Sequence, residues 1–143
     1  MGMSATVYLI SEEAYQAAYD EDLDLFDTSS DIDPIELDQA WHAIHYLITG
    51  DAELTLLSGG AEVTEEAFAH SPESVAIVWN AIQARGLEGF EKLYSHENFN
   101  EKEIYPNGWD ETGFDYIKNY LTDFLKYIEL AVSRNEGLFV VIA

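Results

Sequence analysis

Both ends of this chain carry apolar segments of the type that forms β-strands, and this feature most constrains the fold. Residues 3–10 contain β-branched and aromatic side chains in loose alternation, whereas residues 138–142 are a continuous apolar run. Such a run is typical of a strand that is buried on both faces. We therefore predict that the two ends pair as neighbouring strands of a small sheet covered by several helices, which makes the fold class α+β.

Helix-start signals divide the region between these strands. A serine or aspartate that precedes a proline or an acidic residue is typical of a helix N-cap, and glycine is typical of a helix end. Asp33-Pro34-Ile35-Glu36 has the pattern of a capping box and predicts the start of a helix that ends at Gly50. Apolar residues that are spaced three and four positions apart predict the remaining helices. Together these signals predict helices over residues 12–19, 34–49, 72–85, 87–94 and about 111–135, with an irregular segment at 105–109.

The helix predicted to end at Gly50 is the best candidate for a functional site. It carries two of the four histidines and one of the three tryptophans of the chain. At about 100° per residue, one face of this helix is apolar and predicts a contact with the core, whereas a polar stripe follows its edge. The apolar face consists of Leu37, Ala40, Trp41, Ile44, Leu47 and Ile48, and the polar stripe of Asp38, His42, His45 and Thr49.

Length and the absence of cysteine limit the possible chemistry. The 143 residues suit one domain that spans 1–143 and buries its own core without a disulfide. Without cysteine there is no thiolate nucleophile and no thiolate metal site, so a metal would need His, Asp or Glu ligands. The amino terminus lacks a signal-peptide pattern, and no apolar run approaches the roughly 20 residues that span a bilayer. We expect a soluble cytoplasmic protein.

Negative charge dominates the chain and is distributed unevenly. The formal net charge is −22, and residues 1–84 contain 17 Asp or Glu but no Lys or Arg. A field of this sign repels phosphate backbones and anionic lipids, which argues against nucleic-acid or membrane binding. A basic protein partner is favoured electrostatically, although the same charge also serves solubility.

Several features of the chain are shared with a known family. They are Met1-Gly2-Met3, the block Asp38, Trp41, His42, His45, Tyr46, Leu47, Thr49 and Gly50, the pair Gly59-Gly60, the step Tyr105-Pro106 followed by Trp109, and the closing apolar strand. In these features the chain resembles the YfbM-like family of uncharacterised bacterial proteins, and the resemblance implies a compact single-domain fold in the cytoplasm with no assigned reaction.

Metal and cofactor sites are weakly supported. His42 and His45 are three residues apart, whereas two zinc ligands on one helix are typically four apart, as in H-E-x-x-H. Asp20, Asp22 and Asp24 follow the first ligand positions of an EF-hand, but Leu25 stands where the loop needs glycine and Asp31 where it needs glutamate. We therefore predict no resident metal and no cofactor.

Two functional hypotheses remain open. In the first, the acidic chain is a protein-interaction module of immunity or inhibitor type that captures a basic partner. In the second, it is a ligand-binding protein or enzyme in which a histidine acts as acid or base near neutral pH. The candidate pocket of the second hypothesis is bounded by Asp38, Trp41, His42, His45, Thr49, Tyr105 and Trp109.

Overall fold

An antiparallel sheet forms the centre of the computed structural model, which describes residues 3–22, 31–57 and 59–143. Five strands of the described residues join it in the order β2-β1-β5-β4-β3 and are covered by helices, so the predicted α+β class is confirmed. The strands are β1 (Ala5–Ile10), β2 (Ile35–Asp38), β3 (Ala61–Thr64), β4 (Ala67–His70) and β5 (Gly137–Ile142).

The two terminal strands lie side by side, as the sequence predicts. β1 and β5 pair antiparallel from Ala5 opposite Ile142 to Ile10 opposite Gly137. β4 flanks β5 on its other side, so β5 is a central strand with hydrogen-bonded neighbours at both edges. This position explains why its sequence is apolar without alternation, because both of its faces are covered.

Helices predicted from their caps are largely confirmed. The Ser11 hydroxyl accepts a hydrogen bond from the Ala14 N–H, and the Ser71 hydroxyl accepts one from the Ser74 N–H. Gly86, at φ 73° and ψ 166°, interrupts the third helix at the predicted boundary. The helices are α1 (Glu12–Tyr19), α2 (Trp41–Thr49), α3 (Pro72–Leu93, kinked at Gly86), α4 (His96–Glu101) and α5 (Gly113–Ser133).

The predicted start of the histidine helix is wrong. Ile35–Asp38, which the capping-box pattern assigns to a first helical turn, is instead the edge strand β2, and α2 begins only at Trp41. β2 pairs with β1, with Ile35 opposite Val7, so strand pairing overrides the local capping signal. The predicted end is confirmed, because Gly50 has the left-handed conformation and its N–H donates to the Tyr46 carbonyl.

The shortest elements were not predicted from the sequence. β3 and β4 are four residues long each and α4 is six residues long, which is too short for a reliable periodicity. Small alanines supply much of the hairpin's inward surface, so its alternation is weak. The calcium-loop register, with Asp24 and Leu25, falls partly on residues 23–30, which lie outside the described residues.

Two apolar clusters lie on opposite faces of the sheet, because successive strand residues point to opposite sides. The larger cluster contains Val7 and Leu9 of β1 and the buried faces of α2, α3 and α5. The smaller cluster lies under α1, which contacts β3 and β4. Its buried members are Ile10, Ala14, Ala18, Ala67, Ala69 and Phe139. No helix of the described residues has the length and apolar character needed to cross a bilayer.

Candidate functional site

Helix α2 lies inside the protein and is buried around most of its circumference. The predicted core face is confirmed, since Trp41, Ile44 and Leu47 belong to the main apolar cluster. The predicted polar edge is buried as well, because His42 is 2% exposed and His45 is 0% exposed. Both imidazoles therefore depend on hydrogen bonds from the protein rather than from solvent.

His42 joins three segments through its ring. Its Nδ1 accepts a hydrogen bond of 2.7 Å from the Tyr105 N–H, so Nε2 carries the proton and donates to the Ala52 carbonyl at 3.0 Å. Burial lowers the pKa of His42, although the backbones of Ala52 and Glu53 and the charge of Asp51 act in the opposite direction. The neutral ring has no free hydrogen-bonding atom, and its contacts are structural.

His45 has a similar but looser arrangement. Its Nδ1 accepts a hydrogen bond of 3.0 Å from the Leu57 N–H, which leaves the proton on Nε2. Nε2 lies 3.4 Å from the Thr49 hydroxyl oxygen and 4.0 Å from a carboxylate oxygen of Asp51. Burial lowers the pKa of His45 to about 4, whereas the Asp51 charge raises it and His42 lowers it further.

A third buried histidine, His70, stands at the end of β4. Its side chain is 3% exposed, and its Nε2 is buried without a hydrogen-bond partner. Burial lowers the pKa of His70 to about 4, against a hydrogen bond to the Leu56 backbone that raises it. A Cβ on Gly60 would lie 2.8 Å from the His70 Cε1 and 3.0 Å from its Nε2, so the ring requires a glycine there.

His70 borders a cavity of about 270 Å³ between the end of α2 and the first turns of α3, which we call the His70 cavity. Sequence patterns do not single out His70, because it lies in a short apolar segment. Its place directly before the helix start at Ser71 is the one available signal. The cavity is lined by Thr49, Asp51, Leu57, His70, Ser74, Val75 and Val78.

Asp38 lies away from the histidines, at the exposed end of β2. Its carboxylate accepts a hydrogen bond of 2.8 Å from the Tyr116 hydroxyl, which in turn accepts one of 3.3 Å from the Gln39 N–H. Burial and the hydrogen bond to Asp38 raise the pKa of Tyr116 well above its usual value. This contact ties β2 to α5 at the edge of the sheet.

The predicted aromatic residues pack in the main apolar cluster or against it. The Trp41 Nε1–H donates to the Met3 carbonyl at 2.9 Å, and its ring lies 5.4 Å from that of Tyr105, centroid to centroid. The Tyr105 hydroxyl accepts a hydrogen bond from the Met3 N–H at 2.6 Å. Trp109 is 8% exposed, and its Nε1–H donates to the Ile104 carbonyl. Their polar atoms are engaged by backbone groups.

The seven residues predicted to border one pocket are thus divided among three settings. One is the exposed contact of Asp38 with Tyr116, and the second is the packed interior around His42. The third is the neighbourhood of the His70 cavity, which Thr49 lines. The interior setting contains Trp41, His42, Tyr105 and Trp109, and the cavity setting contains His45 and Thr49.

Helix α1 presents a concave acidic surface on the other face of the sheet. A groove of about 570 Å³ follows it, and a second groove of about 290 Å³ adjoins the first through Glu12 and Gln16. Tyr19, which lines the second groove, is 65% exposed. We call the following set the α1 acidic surface: Glu12, Glu13, Gln16, Ala17, Tyr19, Asp20 and Asp22.

Metal ligands are not clustered in the part of the chain that the structure describes. Among residues 3–22, 31–57 and 59–143, no group of three His, Cys, Asp or Glu side chains is arranged to hold a metal ion. His42 and His45 show why, because each directs its Nδ1 lone pair at a backbone N–H.

Comparisons with known proteins identify a family and a similar fold but assign no reaction. The family model described as "Domain of unknown function (DUF1877)" matches residues 1–141. A crystal structure of a protein of unknown function, YfbM from Escherichia coli, is similar with a TM-score of 0.70 and 16% sequence identity, over 98% of this chain and 99% of that chain. No curated protein matches the chain significantly. The predicted resemblance to the YfbM-like family is confirmed.

Proposed function

We propose a function from the charge and shape of the described surface, because the chain belongs to the family described as "Domain of unknown function (DUF1877)" and this description names no activity. The protein is an acidic interaction module that acts in the cytoplasm and binds a basic segment of another protein. The α1 acidic surface is the docking site. The observation that carries this proposal is the coincidence of a continuous groove with the half of the chain that has no Lys or Arg.

Charge supports the proposal because the acids near the groove are exposed. All four carboxylates are exposed: Glu12 and Glu13 lie in the first turn of α1, and Asp20 and Asp22 lie just after its end. Counterions screen such charges in water, but a partner that supplies several cations at once displaces them and gains long-range attraction. The expected association is fast and weakens with salt.

The lining of the groove suits a lysine or arginine side chain of the partner protein. Ala17 forms an apolar floor between the acidic side chains, and it is buried. Tyr19 offers an exposed ring at the edge of the adjoining groove. Arginine suits this combination because its apolar stem packs, its guanidinium pairs with carboxylates, and its plane stacks on aromatic rings. An immunity or inhibitor protein that covers a basic surface is the functional class we favour.

A pair of charge-matched variants tests the docking site. The α1 variant, E12Q/E13Q/D20N/D22N, removes four charges from the α1 acidic surface. The control variant, E97Q/E101Q/D115N/D123N, removes four exposed charges from α4 and α5. Each set includes acids from the first turn of a helix, so the effects on helix stability are comparable.

The measurement is binding of a lysine- and arginine-rich amphipathic peptide by fluorescence anisotropy, at salt from about 0.1 M to about 1 M, where the screening length falls from roughly 10 Å to 3 Å. We expect the α1 variant to bind about tenfold more weakly and the control variant within about twofold of wild type at the lower salt. Equal losses in the two variants would show that net charge acts without a docking site, and the proposal would then fail.

A further inference from the structure

A cleft between α2, α3 and α4 differs in charge from the other grooves of the described surface. It has a volume of about 280 Å³ and is lined by residues 46–50 at the end of α2, by Arg85 and Leu93 of α3, and by Asn98 of α4. This lining contains a cation and no Asp or Glu, whereas the two α1 grooves, the His70 cavity and a groove beside β2 each include an acidic residue. We call it the Arg85 cleft.

Arg85 is an exposed cation that forms no ion pair with any residue that the structure describes. It is also the first Lys or Arg of a chain that contains 28 Asp and Glu. Arg134 shows the usual arrangement, since its guanidinium pairs with Asp31 and Glu136. The Arg85 guanidinium is therefore available to a carboxylate that comes from outside the protein.

The neighbours of Arg85 hold its side chain in place. A Cβ on Gly89 would lie 2.5 Å from the Arg85 Cγ, so the absence of a side chain at Gly89 leaves room for the arginine stem. The guanidinium carbon lies 5.9 Å from the centre of the Phe90 ring, within the range of a cation–π contact. A guanidinium positioned in advance loses less conformational entropy when it binds a ligand.

The end of α2 gives the same cleft a second, opposite polarity. The Gly50 N–H donates to the Tyr46 carbonyl, and the Asp51 N–H turns to the Thr49 hydroxyl, so the carbonyls of residues 47–49 have no intrahelical partner. Such a helix end carries partial negative charge and attracts cations. The side chains of Ile48 and Leu93 add apolar surface, and Leu93 is 44% exposed.

We propose that the Arg85 cleft binds a single amino acid with an apolar side chain, in its zwitterionic form. The carboxylate pairs with the Arg85 guanidinium, the ammonium group lies at the carbonyl end of α2, and the apolar chain packs against Ile48 and Leu93. A zwitterion has no net charge, so the net charge of −22 does not oppose its approach as it opposes that of an anion. The volume suits one small molecule. This site does not depend on the function proposed for the α1 acidic surface.

NMR of the arginine side chains tests the proposal with leucine as the probe. The chain has two arginines, so the Nε–H resonance of Arg85 reports on the cleft and that of Arg134 is the internal reference. We expect leucine to shift the Arg85 resonance saturably. Two analogues of the same shape each lack one charge: 4-methylpentanoate lacks the ammonium group and 3-methylbutylamine lacks the carboxylate. Each should bind at least about tenfold more weakly than leucine.

Three variants locate the binding, measured by calorimetry because R85Q removes the NMR reporter. R85Q should weaken leucine binding at least about tenfold, whereas K92Q, which removes an exposed cation of α3 outside the cleft lining, should change it less than about twofold. G89A keeps every charge and every lining residue but displaces the Arg85 stem, so it should weaken binding about fivefold.

Four results would overturn the proposal. Binding of 4-methylpentanoate as tight as that of leucine would show a site for simple carboxylates. Equal binding of 3-methylbutylamine would show general attraction of cations to the acidic chain. A linear response of the Arg85 resonance to leucine would show that no site is filled. Equal losses in R85Q and K92Q would place the binding outside the Arg85 cleft.

Discussion

The interior around α2 and the α1 acidic surface use ionisable side chains in opposite ways. Inside, burial penalises the charged forms of His42 and His45 and keeps both rings neutral. Backbone groups occupy both ring nitrogens of His42, whereas His45 pairs Nδ1 with a backbone N–H and directs Nε2 at the Thr49 hydroxyl. Outside, the carboxylates of α1 remain in contact with water, where charge costs little. The difference shows that depth decides whether an ionisable residue serves the fold or is available to a partner.

His70 differs from both regions and makes the comparison more informative. It is as deeply buried as His42 and His45, but Nε2 of its ring lacks the partner that theirs have. Burial alone therefore does not make a histidine structural. What matters is whether the surrounding protein pairs both ring nitrogens.

The largest expected effect comes from removing an interior histidine. H42L keeps an apolar side chain of similar size but leaves the Tyr105 N–H and the Ala52 carbonyl without their partner. At about 1–3 kcal/mol for each orphaned group, we expect the free energy of unfolding to fall by about 3 kcal/mol. Urea unfolding measures this change.

The partly exposed His96, at the start of α4, provides the matched control. H96L should change the free energy of unfolding by less than about 0.5 kcal/mol, as most surface substitutions do. A similar loss in both variants would contradict the structural role that we assign to His42.

Acidification should destabilise the protein through the interior histidines. The pKa of His45 and of His70 falls from 6.5 to about 4 on folding, so between these values the unfolded chain binds more protons. The stabilisation is fully present above pH 6.5 and is lost as the pH falls towards 4. Between pH 6.5 and 5, where carboxylates stay ionised, we expect a loss of about 2–3 kcal/mol in urea unfolding.

Replacing one of these histidines sharpens the test. H70F removes one titrating ring and should reduce the pH dependence by about half. If wild type has the same free energy of unfolding at pH 6.5 and at pH 5, the rings are not held neutral by the fold and the comparison of the two regions breaks down.

A small effect on stability is expected on the α1 acidic surface. E12Q/E13Q removes two carboxylates from the first turn of α1, where each interacts favourably with the helix dipole by roughly 0.3–1 kcal/mol. Relief of repulsion among the many acids opposes this loss, so thermal unfolding should change by less than about 1 kcal/mol. A loss as large as that of H42L would mean that these acids serve the fold.

Much of the architecture follows from local signals that the structure confirms. The pairing of β1 with β5 was predictable because a fully apolar run at one end needs cover on both faces. Ser71 and Gly86 mark real boundaries since their side-chain and backbone properties act within one turn. The strand β2 was not predictable, because its pairing with β1 depends on residues about thirty positions away in the chain.

Composition and short-range pattern were sufficient to predict the α+β class, the serine caps of α1 and α3, the core face of α2 and the acidic character of the first 84 residues. Each of these depends on composition or on neighbours within a few positions. Long-range packing was needed to show that His42 is fully paired, that Asp38 contacts Tyr116, and that Nε2 of His70 is buried without a hydrogen-bond partner. Hydrogen-bond partners and burial arise from long-range packing, and local patterns do not specify them.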